Sequence, residues 1–394
     1  MSRLHLFNPG YEMAVANETV QYTPPLNVQK MRRELALLPM WYGEKEDYVL
    51  MADETPSFDF GIIDRINYPT PVTLRSIYTQ IKISPAMECS PWGLSPDTIA
   101  CLNRLKADHP SLIVPVWKKE YHQLSGRQTA AECLDLIRNY LPEDYFPSAP
   151  VFCQETGEID AFIREKQPPF VLKTPFSSSG RGLWWLYENR LNTNDIQWIN
   201  GALKRQRLIS IELGLDKVQD FALEFYLDDE GKVSYEGISV FNTVGKGAYT
   251  GNRLDSQENL HQSIFQLTGG TYFNRIRHAV QSIIENIFGG IYSGYIGVDM
   301  LVYKTEKGNL IHPFVEINMR YTMGMVAIQL VRKHIAPSAS GHFSMTYSVN
   351  AYEEDVLLKE KYPLVIENNR IRQGYLSLCP VNRETQFRTF VLVD

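Results

Sequence analysis

The chain has 394 residues, 44 % of them hydrophobic and 21 % charged, a composition that indicates a packed globular protein and excludes a disordered or fibrous one. At about 150 residues per domain, this length predicts two to three domains. The 39 Lys and Arg residues against 45 Asp and Glu residues give a net charge of -6, which provides no general basic field for binding a nucleic acid.

Cysteine usage and hydropathy give no sign of secretion or of a membrane. The five cysteines are an odd number without CxxC spacing, which argues against a disulfide framework and against a cysteine zinc site. The sequence contains neither a run of about 18 apolar residues nor the apolar stretch of a secretory signal. We therefore expect reduced, mostly buried thiols in a cytoplasmic protein with no membrane partner.

The amino-terminal part of the chain predicts alternating strands and helices. Three short apolar runs have strand composition: residues 4–7, 48–51 and 60–63. Ser95 followed by Pro96 predicts the start of a helix that extends to about Leu105. This alternation is typical of an open α/β domain, which we assign to residues 1–115.

Two longer helices are predicted farther along the chain. Apolar residues at helical spacing after Ser125 predict an amphipathic helix that ends before Pro142. A second helix is predicted over residues 272–287, with Gly289 and Gly290 at its end. The segment between these helices favours mostly strands, and the tail after His342 favours polar loops with a few short strands.

A loop rich in serine and glycine joins two predicted strands, residues 170–173 and 183–186. Because no helix follows the loop, it is neither a Walker A loop nor a dinucleotide-binding loop. Its hydroxyls and backbone amides are suited to cover a triphosphate as a flap, with Lys173 on the strand beneath as a fixed charge. The flap residues are Ser177, Ser178, Ser179, Gly180, Arg181 and Gly182. A polar surface hairpin without a ligand accounts for the loop equally well.

The second polar cluster lies on a hairpin predicted around Lys307 and Gly308. Symmetry about this step places Asp299 opposite Glu316, and the period of two puts Asn318 on the same face. Two opposed carboxylates in apolar surroundings repel each other, and a divalent cation such as Mg²⁺ removes that cost. An exposed hairpin whose acids pair with Lys or Arg is the alternative. The flap upstream in the same chain favours the metal site.

The order of these features resembles the ATP-grasp superfamily over residues 114–329. A strand with a lysine, a Ser/Gly flap, a strand that ends in an acid, a helix and a D(x)nExN hairpin follow one another. The motif Phe314-Val-Glu-Ile-Asn-Met-Arg320 is the most specific part. The resemblance implies an open α/β domain over residues 1–115, a small subdomain with the flap over 116–205 and a carboxy-terminal subdomain with the metal hairpin over 206–394.

The resemblance also implies residue roles, with ATP and Mg²⁺ (or Mn²⁺) bound. The implied nucleotide contacts are those of Arg127, Lys173 and the flap with the phosphates, of Glu212 and Leu213 with adenine, and of Asp220 with the ribose. The implied metal ligands are Asp299, Glu316 and Asn318, and Arg320 is the implied catalytic arginine. The chain departs from many peptide-forming members, which carry an arginine just before the metal aspartate where this sequence has Gly297 and Val298.

The implied activity is that of an ADP-forming carboxylate-amine ligase. ATP activates a carboxylate as an acyl phosphate, which a small-molecule amine then attacks. A kinase acting on a small-molecule acceptor and a nucleotide-binding module without turnover are the alternatives. Three segments are predicted to choose the substrates: residues 8–12, 249–252 and 321–325. Because dimers are the commonest assemblies of soluble proteins, we also consider a homodimer.

Overall fold

The computed structural model describes residues 1–51, 68–73, 86–142, 146–177, 182–245, 247–269 and 271–394. Contacts divide the chain into two compact units. Unit 1 comprises Met1–Lys118, Thr250–Gln257 and Met323–Asp394, and unit 2 comprises Lys119–Tyr249 and Glu258–Thr322. The predicted division into three domains is not tested by these contacts and stays a prediction. No helix in the described ranges is both long and apolar enough to cross a membrane.

Unit 1 begins with the predicted open α/β arrangement, a sheet whose strands are all parallel. The strands are β1 Arg3–Leu6, β2 Tyr48–Met51, β3 Thr70–Thr73, β4 Met87–Pro91 and β5 Leu112–Ile113, in the order β3-β2-β1-β4-β5. The helices are Tyr11–Asn17, Leu26–Glu34 and Pro96–Asp108, with a 3-10 helix at Leu38–Trp41. The helix that begins at Pro96 after Ser95 confirms the predicted start. The strand predicted at residues 60–63 lies outside the described residues.

Unit 2 contains a four-stranded antiparallel sheet that presents Lys173. Its strands are β6 Val151–Cys153, β7 Phe170–Lys173, β8 Leu183–Leu186 and β9 Ile209–Leu213, in the order β6-β9-β7-β8. The helices Thr156–Arg164 and Thr193–Gln206 contribute to a buried core with Phe170, Leu172 and Ile211. Besides the helix Gln257–Thr268, the expectation of mostly strands between the two long predicted helices missed these two. Their capping boxes at Glu155 and Asn192 were the sequence signal for both starts.

The two long helices predicted from the apolar spacing are confirmed within unit 2. The first is Arg127–Leu136, continued by a 3-10 turn at Ile137–Asn139, and the second is Thr271–Phe288. A shorter helix, Glu120–Leu124, precedes the first. The amide of Gly289 donates to the carbonyl of Glu285, and Gly290 has a φ of 72°, so this glycine pair ends the long helix as expected.

A second antiparallel sheet follows along the chain. Its strands begin with β10 Asp216–Leu227, β11 Val233–Val244, β12 Ala248–Leu254, β13 Gly294–Thr305 and β14 Gly308–Asn318. Within unit 2 the order is β14-β13-β10-β11, and all neighbours are antiparallel. The helix Gln257–Thr268 precedes the long helix Thr271–Phe288 in the chain.

Unit 1 also contains the carboxy-terminal part of the chain. Its strands are β15 Gly341–Tyr347, β16 Val365–Glu367, β17 Arg370–Ser377 and β18 Phe387–Val393, in the order β12-β15-β18-β17-β16. The helices are Met323–Lys333 and Ala351–Lys361. The prediction of short strands after His342 is confirmed, but the prediction of polar loops is wrong at Ala351–Lys361. Apolar residues form no continuous stripe on that helix, so its sequence carries little periodic signal. All five cysteines are free thiols, and only Cys101 is exposed.

Candidate functional site

One face of the unit 2 sheet formed by β14, β13, β10 and β11 carries a block of polar side chains. One row across these strands consists of Glu316, Asp299, Ala222 and Ser239. The next row consists of Asn318, Gly297, Glu224 and Gly237. Residues two positions apart along a strand point to the same side, so both rows share one face. In these rows the small residues Ala222 and Gly297 lie between the acids.

The pairing of Asp299 with Glu316 is confirmed, but the hairpin reaches it by a different register. Near the turn Thr305 pairs with Gly308, so the loop is centred one position earlier than predicted. The register then shifts between Leu301, which pairs with His312, and Asp299. Three residues of β14 face one residue of β13 at this irregularity. Pro313 lies there and has no N–H for the ladder, which explains why the pairing breaks at this point.

Arg127 connects this hairpin to the base of the flap. It is the first residue of the helix Arg127–Leu136, and its side chain is 9 % exposed. Its Nε donates to the carbonyl oxygen of Thr174 at 3.1 Å, and one terminal nitrogen lies 3.4 Å from the Ser177 hydroxyl and 3.2 Å from a Glu316 oxygen. The other terminal nitrogen donates to the carbonyl of Val315 at 3.4 Å. One guanidinium therefore links the strand before the flap to the paired carboxylates.

Lys173 lies at the end of β7 and forms an ion pair with Glu212 on β9. Both side chains are mostly buried, at 10 % and 15 % exposure. Burial opposes ionisation of Glu212, but nearby positive groups, first among them the ammonium of Lys173, together outweigh it and lower the pKa of this carboxyl. His312 is buried beside them, and burial lowers its pKa to about 4, so its ring is neutral at pH 7. The cation is thus held in place by one carboxylate.

The carboxylates on the sheet face repel one another. Burial, the charge of Glu316 and then that of Glu224 raise the pKa of Asp299 well above its ordinary value. Arg320 opposes this effect and donates to the amide oxygen of Asn318 at 2.8 Å. Arg127 pairs with Glu316 and Arg320 acts on Asp299, yet the pKa of Asp299 stays raised, and an additional cation would relieve this repulsion.

Glu224 is a site residue that the sequence analysis missed. Its side chain is 1 % exposed and accepts hydrogen bonds from Thr322 at 2.8 Å and Ser239 at 3.2 Å. Burial raises its pKa to about 7 despite both hydrogen bonds. A Cβ at Gly297 would lie 2.9 Å from a Glu224 oxygen, so the glycine gives the carboxyl its space. The alternation Asp220, Ala222, Glu224 on a strand was the available signal.

The donor set on this face fits a divalent cation of the Mg²⁺ type. Asp299 and Glu316 supply opposed carboxylates, and Asn318, 8 % exposed, supplies an amide. Hard oxygen ligands in this number suit Mg²⁺ when phosphate oxygens complete the shell. No group of three or more His, Cys, Asp and Glu side chains within the described ranges could hold a metal.

The remaining predicted residues also lie in unit 2. Asp220 precedes Ala222 by two positions on the same face of β10 and accepts hydrogen bonds from Lys217 at 2.6 Å and Thr243 at 2.7 Å. Leu213 ends β9 and is 40 % exposed. The predicted strand-to-strand topology of the flap is confirmed by the pairing of β7 with β8, and the Thr174 amide donates to the Gly182 carbonyl at 3.0 Å.

Part of the predicted site cannot be placed. Ser178, Ser179, Gly180 and Arg181 lie outside the described residues. The three predicted substrate segments do not share one unit, because residues 8–12 belong to unit 1 and the other two cross a unit boundary. The roles of the nucleotide, metal and substrate residues stay predictions.

Comparison with known proteins identifies the fold of this chain. No family model and no curated protein matches the sequence. The chain is similar to the biotin carboxylase domain of 2-oxoglutarate carboxylase from Hydrogenobacter thermophilus, crystallised as a dimer with MgADP, ADP and bicarbonate. The two are 11 % identical with a TM-score of 0.53, over 100 % of this chain and 86 % of that one.

Two further structures are similar over the whole of this chain. Biotin carboxylase from Campylobacter jejuni, in a β-γ-ATP complex, is 11 % identical with a TM-score of 0.53 over 88 % of that chain. N5-carboxyaminoimidazole synthetase from Staphylococcus aureus, complexed with ADP, is 13 % identical with a TM-score of 0.48 over 93 % of that chain. The likeness to the biotin carboxylases establishes that this chain has the ATP-grasp fold.

Proposed function

We propose that the protein is an ATP- and Mg²⁺-dependent ligase that activates a carboxylate as an acyl phosphate and joins it to an amine, releasing ADP and phosphate. The observation that carries this proposal is the position of Arg127. Its guanidinium lies 3.2 Å from Glu316 and also contacts Ser177 at the base of the flap. Arg127 thereby links the residues proposed to bind phosphate to those proposed to hold the metal. The similar biotin carboxylase domain, crystallised with MgADP and bicarbonate, supports the same class of substrates.

Binding of the nucleotide would replace part of two existing ion pairs with contacts to phosphate. Lys173 is paired with Glu212, and Arg127 with Glu316, so each cation is already oriented by a carboxylate. Triphosphate oxygens would take over part of both pairings, and the flap from Ser177 to Gly182 would cover them. Glu212 and the backbone at Leu213 would meet the adenine edge. Asp220, oriented by Lys217 and Thr243, would accept hydrogen bonds from the ribose hydroxyls.

Asp299, Glu316 and Asn318 would hold Mg²⁺ (or Mn²⁺), which supplies charge neutralisation and orientation for the phosphates. Arg320 is anchored by its contact with the Asn318 amide oxygen at 2.8 Å, on the face that carries Asp299 and Glu224. Its positive charge is suited to stabilise the phosphoryl group during transfer. A preorganised arginine does so without reorientation in the transition state, which is why we assign it the catalytic role.

The proposed reaction has two balanced steps. A carboxylate oxygen of the substrate attacks the γ-phosphorus, the bond from that phosphorus to the β-γ bridging oxygen breaks, and ADP leaves with the electron pair. The amine nitrogen then attacks the acyl carbon, the bond from that carbon to the phosphate oxygen breaks, and the nitrogen loses a proton. Neither step requires a protein nucleophile, because positioning and charge stabilisation provide the catalysis.

A matrix of small carboxylates and amines tests the proposal, with ADP release measured in the presence of Mg²⁺ and with Glu316→Ala as the blank. We expect ADP only when one acid and one amine are both present. When the acid is labelled with ¹⁸O, one label atom should appear in the released phosphate. ADP formation with an acceptor alone, together with a stable phosphorylated product, would establish a kinase instead. ATP binding without turnover on any pair would favour a binding module.

The proposal extends to assembly. Dimers are common among soluble proteins, and the similar biotin carboxylase domain was crystallised as a dimer. We therefore expect a homodimer in solution, which light scattering at micromolar concentration would detect as twice the mass of the 45.3 kDa chain.

A further inference from the structure

Two adjacent tryptophans on β8 point to opposite faces of the four-stranded sheet. Trp184 packs against the buried core and donates from its indole nitrogen to Asp195 at 2.8 Å. Its ring stacks on Trp198 of the helix Thr193–Gln206 with centroids 5.7 Å apart. Because neighbouring side chains alternate along a strand, Trp185 points away from this core. The second tryptophan therefore has no role in the packing that explains the first.

Trp185 shares its face with the residues proposed to bind the nucleotide. Across the sheet, Trp185 pairs with Val171, and Val171 pairs with Glu212. Lys173 lies two positions from Val171 on the same strand and thus on the same side. Neighbouring strands are about 4.8 Å apart, so the backbones at Trp185 and Glu212 are separated by about 10 Å across Val171. The Trp185 side chain must therefore cross β7 to reach β9 on this face.

The indole ring is held over the end of β9. A Cβ at Gly214 would lie 2.6 Å from Cζ3 of Trp185, so only glycine leaves room for the ring at that point. Tyr187 stacks beside it, with centroids 6.4 Å apart and planes 17° from parallel. Tyr187 is 71 % exposed, whereas Trp185 is partly buried. The ring is thus placed at Gly214, the residue that follows Leu213, whose backbone is proposed to meet the base edge.

We infer that Trp185 forms the aromatic wall of the nucleobase pocket and contributes its preference for a purine. The inference rests on the proposed function, because it needs a nucleotide on the face that carries Lys173 and Glu212. Stacking between an aromatic side chain and a base is sequence-tolerant but grows with ring area, so a purine gains more than a pyrimidine. The polyphosphate, which is bound by the cations, gains nothing from the indole.

Calorimetry with two ligands tests this assignment. ATP probes base and phosphates together, and inorganic tripolyphosphate probes the phosphate groups alone. We expect Trp185→Leu to weaken ATP binding at least fivefold and to leave tripolyphosphate binding unchanged, on the scale of one lost base stack. Trp185→Phe should recover most of the ATP affinity. Trp198→Phe removes an indole from the core side of the same sheet and should bind both ligands as the wild type does.

A fluorescence measurement covers the case in which Trp185→Leu does not fold. ATP should change the tryptophan emission of the wild type and of Trp198→Phe, and this change should be lost in Trp185→Phe. The inference is overturned if Trp185→Leu binds ATP as tightly as the wild type, if both ligands weaken equally, or if Trp185→Phe keeps the ATP-induced change. A wild-type protein that binds neither ATP nor tripolyphosphate would instead refute the proposed nucleotide site itself.

Discussion

Replacing Arg127 tests how far one side chain holds the site together. Arg127→Met removes hydrogen bonds to the carbonyl oxygens of Thr174 and Val315, each worth about 1 kcal/mol. It also removes the ion pair with Glu316, whose side chain is 30 % exposed, so solvent screening limits that contribution to about 0.5–1 kcal/mol. We expect a loss of about 3 kcal/mol in the free energy of unfolding. Arg127→Lys keeps the positive charge but not the several N–H donors of the guanidinium, and its free energy of unfolding should fall by about 2 kcal/mol.

The same two variants separate stability from nucleotide binding. A lost charge-assisted contact with phosphate costs about 1.5–3 kcal/mol, so Arg127→Met should bind ATP about 10- to 150-fold more weakly. Arg127→Lys should bind ATP clearly better than Arg127→Met, because a lysine still offers a charge to phosphate. Urea denaturation and calorimetry measure the two effects. If Arg127→Met unfolds at the wild-type urea concentration and binds ATP normally, the arginine does not connect the two halves of the site.

Three further results follow from the structure. Lys173→Ala should weaken ATP binding by about 1.5–3 kcal/mol in calorimetry, and an unchanged affinity would remove Lys173 from the site. Gly297→Ala should lower the free energy of unfolding by about 1–3 kcal/mol, because its Cβ would lie 2.6 Å from Thr322; a neutral urea midpoint would contradict this. Burial lowers the pKa of His334 to about 4, and its Nδ1 has no hydrogen-bond partner among the described residues. Folding favours the neutral form of His334, so its contribution to the free energy of unfolding is complete above pH 6.5 and should fall by about 2 kcal/mol by pH 5. Urea titrations at both pH values measure this loss, which His334→Gln should not show.

The fold was predictable where local patterns and global packing agree. Apolar runs separated by turn signals located β1 and β2, and helical spacing located the helix Thr271–Phe288. The helix Ala351–Lys361 was missed because its contacts with the sheet, rather than an apolar stripe, determine it. Strand order was equally unreadable, since a sheet order such as β3-β2-β1-β4-β5 depends on contacts between residues far apart in sequence.

The candidate site was predictable only in part, for a comparable reason. The pairing of Asp299 with Glu316 was inferred from a symmetric hairpin, yet the true hairpin has an earlier turn and an irregularity beside Pro313. The earlier turn and the irregularity shift the register in opposite directions, so Asp299 still pairs with Glu316. Glu224 was missed because the alternation of Asp220, Ala222 and Glu224 does not by itself distinguish it from the other acids of β10. Only the pairing of β10 with β13 brings it to Gly297 and reveals a carboxyl within the site.

The most direct test of the account is calorimetric titration of ATP into the wild type and Glu316→Ala, each with and without Mg²⁺. Opposed carboxylates that require a cation should make the wild type bind ATP more tightly with Mg²⁺ than without it. Glu316→Ala should lose this difference and still bind ATP in the absence of Mg²⁺, because Lys173 remains in place. An equal Mg²⁺ effect in both proteins would contradict the metal assignment, and a wild type that does not bind ATP would contradict the account as a whole.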